Sequence, residues 1–101
     1  MATYKILYWR DIPSLVQATD GSQAVKLELS ERFQTLIDAV AMRLGIVGAD
    51  EYLDQWHRGD EEHRPGGARE VAQAVAAELE SRFDEFRDRG LGGAPEAATE
   101  P

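Results

Sequence analysis

The spacing of the apolar residues changes at Ser30, and this change constrains the fold more than any other feature of the sequence. Just before Ser30, apolar residues at Val25, Leu27 and Leu29 alternate with polar ones, which is the period of a β-strand with one buried face. After Ser30 the apolar residues recur every three or four positions, which is the period of an amphipathic helix. Strands followed by helices predict an α+β protein.

The first thirty residues contain three predicted strands, at about residues 3–10, 14–19 and 23–29. The pair Asp20-Gly21 separates the second strand from the third and is typical of a tight hairpin turn, because glycine accepts a positive φ. Pro13 cannot donate a hydrogen bond to a β-ladder, so we expect it to end the first strand. The predicted sheet is antiparallel and contains a β-hairpin.

Three helices are predicted to pack against this sheet, at about residues 30–44, 50–58 and 68–89. Ser30 is a suitable N-cap for the first helix, and Gly45 is suitable to end it in the left-handed conformation. In the third helix, Glu85 and Arg89 have the i,i+4 spacing of a surface ion pair.

The remaining segments lack periodicity. Residues 59–67 combine glycine, proline and acidic residues, which predicts an exposed loop. Residues 90–101 are rich in Gly, Ala, Pro and Glu, which is typical of a disordered acidic tail. A chain of 101 residues has room for one core, so residues 1–89 are predicted to form a single domain.

The charge and the cysteine content exclude several classes of function. The formal net charge is -8, and a binding site for nucleic acid or an anionic membrane needs a basic face that the sequence does not show. There are no cysteines, which removes disulfides and thiolate chemistry. The N-terminus has no secretory signal pattern, so we expect the protein in the cytoplasm.

The sequence shows no catalytic constellation, and it leaves open whether the chain is an enzyme. His57 and His63 lie among carboxylates, but they are spread over a predicted helix end and a loop, so convergence on a metal ion is not expected. We therefore assign no catalytic residue, no metal ligand and no cofactor.

The hexapeptide from Tyr8 to Pro13 is the strongest candidate for a binding surface. Aromatic rings and arginine are enriched in interface hot spots, because they bury much area with few rotatable bonds. The alternative is that Trp9 fills the core and Arg10 pairs with a nearby carboxylate. The expected partner is another protein or a second copy of the chain, and the predicted binding residues are Tyr8, Trp9, Arg10, Asp11, Arg43, Trp56 and Arg58.

A second hypothesis concerns the arginines, which make up nine of the eleven Lys and Arg residues. Arg10, Arg32 and Arg43 would gather an anionic ligand such as a folate tail or a phosphate. The chain would then be a small ligand-binding protein or enzyme.

Four motifs carry a family resemblance: Tyr8-Trp9-Arg10-Asp11-Ile12-Pro13, Glu31-Arg32-Phe33, Ala41-Met42-Arg43-Leu44-Gly45 and Tyr52-Leu53-x-x-Trp56-x-Arg58-Gly59. Together they resemble the small bacterial "virulence factor" domain family, over about residues 3–89. The resemblance implies an accessory protein for folate or corrinoid enzymes of methyl transfer. It assigns no catalytic residue.

Overall fold

The computed structural model describes residues 1–46 and 48–92. In this part of the chain five strands form one antiparallel sheet, and the α+β architecture expected from the sequence is confirmed. The strands are β1 (Ala2–Trp9), β2 (Ile12–Thr19), β3 (Ala24–Glu28), β4 (Trp56–Arg58) and β5 (Glu62–Arg64). The helices are α1 (Glu31–Arg43), α2 (Ala49–Asp54), α3 (Ala68–Ser81) and α4 (Phe83–Arg87), and a single π-helical turn follows at Asp88–Gly92.

The sheet has the order β3-β2-β1-β4, and β5 also pairs with β1. The hairpin predicted between β2 and β3 is confirmed. Gly21 has a φ of 92°, and the Asp20 carboxylate accepts hydrogen bonds from the backbone N–H groups of Ser22 and Gln23. The other Asp20 carboxylate oxygen accepts from the N–H of Ala68 at 2.9 Å, so one side chain holds both the hairpin and the start of α3.

Pro13 does not end the first strand as predicted. It lies inside β2, opposite Tyr8, and the register shifts between Leu7 and Tyr8 so that Ser14 is left without a partner on β1. A β-bulge is one of the few places where a strand tolerates proline, because the ladder is already interrupted there. The chain therefore reverses before Ile12 and Pro13, at Arg10 and Asp11.

The segment after α1 also differs from the prediction. The second helix ends at Asp54 instead of residue 58, and the predicted loop 59–67 contains a strand. Trp56 and Arg58 lie on β4, opposite Trp9 and Leu7 of β1, while β5 pairs with the beginning of β1. A strand of three residues is too short to show an alternating pattern in the sequence. These strands form because the edge of β1 that is not paired with β2 is free to pair with them.

The predicted third helix is interrupted at Arg82, which separates α3 from α4. The break brings two aromatic rings onto Phe33 of α1, since Phe83 contacts it edge-on with centroids 5.1 Å apart and Phe86 lies at 6.2 Å. Residues 90–92, predicted as part of a disordered tail, complete the C-terminal turn. The rest of that predicted tail, residues 93–101, lies outside the described residues.

The helices bury one face of the sheet. Val16 and Ala18 of β2 lie beneath α3, and the buried residues of α1 and α3 follow the stripes that their spacing predicted. The opposite face of β1 and β2 carries Lys5 and Gln17 and borders a broad, open depression. Within the described ranges, none of the helices combines the length and apolar character needed to cross a membrane.

We predict that Asp20 makes the stability of the protein sensitive to acid. Backbone N–H groups of Ala68, Ser22 and Gln23 lower the pKa of Asp20 to about 2, below the value of about 3.9 in an unfolded chain. The ionised carboxylate therefore stabilises the folded state above about pH 4, and this contribution is lost as the pH falls through about 2.

Urea unfolding of the wild type and of Asp20→Asn over this pH range measures the effect. The variant is expected to be less stable at neutral pH, and the difference between the two proteins should shrink as the pH falls from 4 towards 2. A difference that stays constant with pH would contradict the prediction.

Candidate functional site

The site is built on the buried indole of Trp9, the last residue of β1. This side chain is 0% exposed, and its indole N–H donates to the backbone carbonyl of Tyr52 at 2.9 Å. The Tyr52 ring packs on Trp9 with centroids 5.4 Å apart and on Trp56 at 6.3 Å. Trp9 was predicted to contact a partner, and this prediction is wrong for the indole itself, because α2 and the core enclose it.

The chain reverses immediately after Trp9 through a two-residue turn, Arg10-Asp11. Arg10 has a φ of 55° and is the one non-glycine residue with positive φ among the described residues. Its backbone N–H donates to the carbonyl of Gln55 at 3.0 Å, and its guanidinium donates to the Gln55 side chain at 2.9 Å. The Nε2 atom of His57 lies 2.8 Å from the Arg10 carbonyl oxygen.

These bonds hold Arg10 in a backbone conformation that costs about 1–2 kcal/mol for an L-residue with a side chain. Glycine would adopt it without that cost, and glycine is the residue usually found at such positions. Two hydrogen bonds from β4 and its preceding residue fix the backbone, while the Arg10 side chain remains exposed. The turn therefore presents an arginine on a rigid, strained support.

A small cavity of about 140 Å³ lies beside the turn. Arg10 and Asp11 form one side of its rim, and Arg89 and Gly90 of the C-terminal turn form the other. Its apolar wall consists of Ile12, Val40, Leu44 and Phe86. The site thus lies between the turn that follows β1 and the C-terminal turn.

Arg43 belongs to the same region. It is the last residue of α1, and its guanidinium donates to the carbonyl oxygen of Leu91, next to Gly90 of the rim. Arg89 was expected to pair with Glu85, but Glu85 pairs with Arg82 at 3.4 Å. Within residues 1–46 and 48–92, Arg10, Arg43 and Arg89 are absent from the ion pairs, whose cations are Lys5, Arg32, Arg64, Arg82 and Arg87.

The predicted cluster of Arg10, Arg32 and Arg43 does not form. Arg32 and Arg43 lie at opposite ends of α1, about 16 Å apart at 1.5 Å per residue. Arg32 instead binds Glu80 at 3.1 Å and lies over the Phe83 ring. Burial tends to raise the pKa of Glu80, but hydrogen bonds from Ser30 and Arg32 lower it overall. Arg89, which was not predicted, lines the same cavity as Arg10.

The other predicted binding residues lie around the site. Tyr8 is half-buried and stacks on His57 with centroids 5.5 Å apart, and burial raises the pKa of its phenol. Trp56 is also partly buried, under Tyr52. Arg58 is exposed and borders the depression on the open face of the sheet instead of the cavity. Among the described residues, no group of three His or carboxylate side chains is placed to hold a metal ion.

Arg89 and Gln55 were not predicted as site residues. Arg89 follows the apolar stripe of the third predicted helix, where it has the appearance of a surface residue. Gln55 was placed inside a helix. Gln55 bonds to Arg10 and Arg89 lines the same cavity as Arg10 through pairing and packing between distant segments, so no local signal identifies them.

The comparison with known proteins identifies the family. A family model described as "Virulence factor" matches residues 7–91, which is nearly the whole chain. The chain belongs to the virulence factor family. The matched region of this virulence factor domain includes the Arg10-Asp11 turn and all but the last residue of the C-terminal turn Asp88–Gly92. No curated protein and no solved structure matches the chain.

We predict that Arg10→Gly does not destabilise the domain, because glycine removes the backbone strain and loses one exposed hydrogen bond. The free energy of unfolding is expected to stay equal or rise by up to about 1 kcal/mol, whereas Arg10→Ala should lie about 1 kcal/mol below Arg10→Gly. Urea denaturation of the three proteins measures this. If Arg10→Gly were the least stable, the arginine side chain would be needed for folding instead of binding.

Trp9→Phe is expected to destabilise the domain by about 2–3 kcal/mol, since it removes the bond to the Tyr52 carbonyl and leaves space in the core. Chemical denaturation tests this, with Trp56→Phe as the control at a partly exposed indole. Equal stability of the two variants would show that Trp9 is not the anchor of the site.

Proposed function

We propose that this protein is an interaction module that binds a protein partner through the Arg10-Asp11 turn and the surface around it. We further propose that it acts in the cytoplasm as an accessory to folate or corrinoid methyl-transfer enzymes, which is what the family resemblance implies. The proposed binding residues are Arg10, Asp11 and Arg43. Tyr8 and Trp56 contribute through the packing under the turn, since Tyr8 stacks on His57 and Trp56 packs on Tyr52.

The observation that carries the proposal is the left-handed backbone of Arg10. Strained conformations concentrate at functional sites, where the surrounding structure holds them. Here the fold would be served as well or better by glycine, so the arginine side chain must supply something other than stability. Its guanidinium offers directed donors to a carboxylate or phosphate acceptor.

An exposed apolar side chain lies beside the turn. Leu44, which lines the same cavity as Arg10, is 49% exposed, and Met42 on α1 and Leu53 on α2 are 78% and 61% exposed elsewhere on these helices. Exposed apolar side chains beside an arginine are typical of binding surfaces. The rigid support under Arg10 also reduces the entropy lost when a partner binds.

The partner prediction is tested with purified folate and corrinoid methyltransferases on a biosensor that carries the full chain. The wild type should bind one of these enzymes, and Arg10→Gly should weaken binding at least tenfold while remaining folded. Arg69→Gln is the matched control, because Arg69 is exposed on α3 at the hairpin end of the sheet, about 25 Å away along β2.

Photo-crosslinking provides the second readout. A photoreactive residue at position 11 should label the bound enzyme, and the same residue at position 69 should not. Equal affinity of the wild type and Arg10→Gly would reject the turn as the binding site. Binding to none of the methyltransferases would reject this class of partner.

The second candidate function is the binding of a small anionic ligand, and the cavity between Arg10 and Arg89 favours it. A thermal-shift screen with folates, nucleotides and inorganic phosphate tests it, because a ligand that binds the folded state raises the melting temperature. If none of them raises the melting temperature, only the protein-interaction proposal remains.

A further inference from the structure

The cavity beside the turn combines two arginines with an apolar wall, and this combination indicates what it binds. Arg10 and Arg89 line the rim, and Arg43 lies nearby, where it donates to the carbonyl oxygen of Leu91, next to Gly90 of the rim. In a chain with a net charge of -8, three arginines without a carboxylate partner among the described residues form a local positive site. Such a site favours an anionic group.

The size and the wall of the cavity define the rest of the ligand. A volume of about 140 Å³ is close to that of a cavity which holds one benzene molecule, so one apolar side chain fills it. Ile12, Val40 and Phe86 are buried residues whose surfaces form the wall, and the half-exposed Leu44 lies at the opening. A phosphate would leave this wall uncovered.

The anionic group must also tolerate Asp11, which lies on the same rim. A singly charged carboxylate fits between Arg10 and Arg89 with less repulsion from Asp11 than a phosphate dianion would meet. An internal Asp or Glu places its carboxylate at the tip of the side chain, with no apolar group beyond it. A C-terminal residue carries its carboxylate and its side chain on the same Cα atom, so it satisfies both parts of the cavity.

We propose that this cavity binds the C-terminal residue of a partner polypeptide, with its carboxylate between Arg10 and Arg89 and an apolar side chain such as Leu against the wall. This inference rests on the proposed function as an interaction module and names the chemistry of the partner. It predicts specificity for a free carboxylate and for one apolar side chain at the last position.

The test is an NMR titration of the full ¹⁵N-labelled chain with N-acetyl-leucine and with its neutral amide. The acid should shift the amide signals of Arg10, Asp11, Leu44 and Arg89 with a dissociation constant on the order of millimolar, as expected for a ligand of this size. The amide should cause no saturable shift. A short peptide ending in Leu should bind more tightly than the same peptide with an amidated end.

Variants separate the carboxylate contact from a general charge effect. Arg89→Gln should weaken binding of the acid about tenfold, whereas Arg69→Gln, which removes the same charge at a distant exposed position, should leave it unchanged. Leu44→Glu should abolish binding, because it places a negative charge at the opening. Both substituted residues are exposed, so the fold is expected to survive.

Several outcomes would overturn the inference. Equal binding of the acid and the amide would show that the carboxylate is not recognised. Equal shifts with acetate would show that the apolar side chain makes no contact. Inorganic phosphate acting on the same residues more strongly than N-acetyl-leucine would make the cavity a small-anion site. If N-acetyl-leucine fails but a methyltransferase still loses affinity with Arg10→Gly, the proposed function stands and this cavity is not its contact point.

Discussion

The hydrogen bond from the Trp9 indole to the Tyr52 carbonyl connects the sheet to the segment that follows α1. Trp9 is completely buried, and its neighbour Trp56 pairs with it across β1 and β4. This contact places Gln55 and His57 beside the Arg10-Asp11 turn, where both form hydrogen bonds to Arg10. Without a buried indole at this point, the segment 55–58 would lose its main attachment and the turn its support.

The site follows from this attachment because the same contacts that fix the backbone leave the side chain exposed. Arg10 has a φ of 55°, at which glycine would be less strained. This position therefore combines a strained backbone with an exposed arginine side chain. The C-terminal turn brings Arg89 to the opposite side of the cavity, and Arg43 at the end of α1 donates to the Leu91 carbonyl of that turn. A strongly acidic protein therefore carries a small positive region next to an exposed apolar side chain.

Many features of the fold could be predicted because they depend on neighbours in the sequence. The alternation at Val25 and Leu27 and the conformations of Gly21 and Gly45, both with positive φ, are local properties of strands, turns and helix ends. The residues of the proposed binding site could be predicted only in part. Arg10 and Asp11 were predicted by residue type, but Trp9 is equally suited to a core and to an interface, and only its surroundings distinguish the two.

The sequence by itself determined the first three strands, the positions of α1, α2 and α3, the hairpin at Asp20 and Gly21, and the apolar faces that form the core. These features follow from the period of the side chains and from the φ angles that glycine allows. The tertiary structure decided the strand at Trp56, the position of Pro13 in a bulge, the break at Arg82 and the placement of Arg10 and Arg89 around one cavity. Each of these depends on a free strand edge or an aromatic contact between segments far apart in the chain, and such contacts have no local pattern.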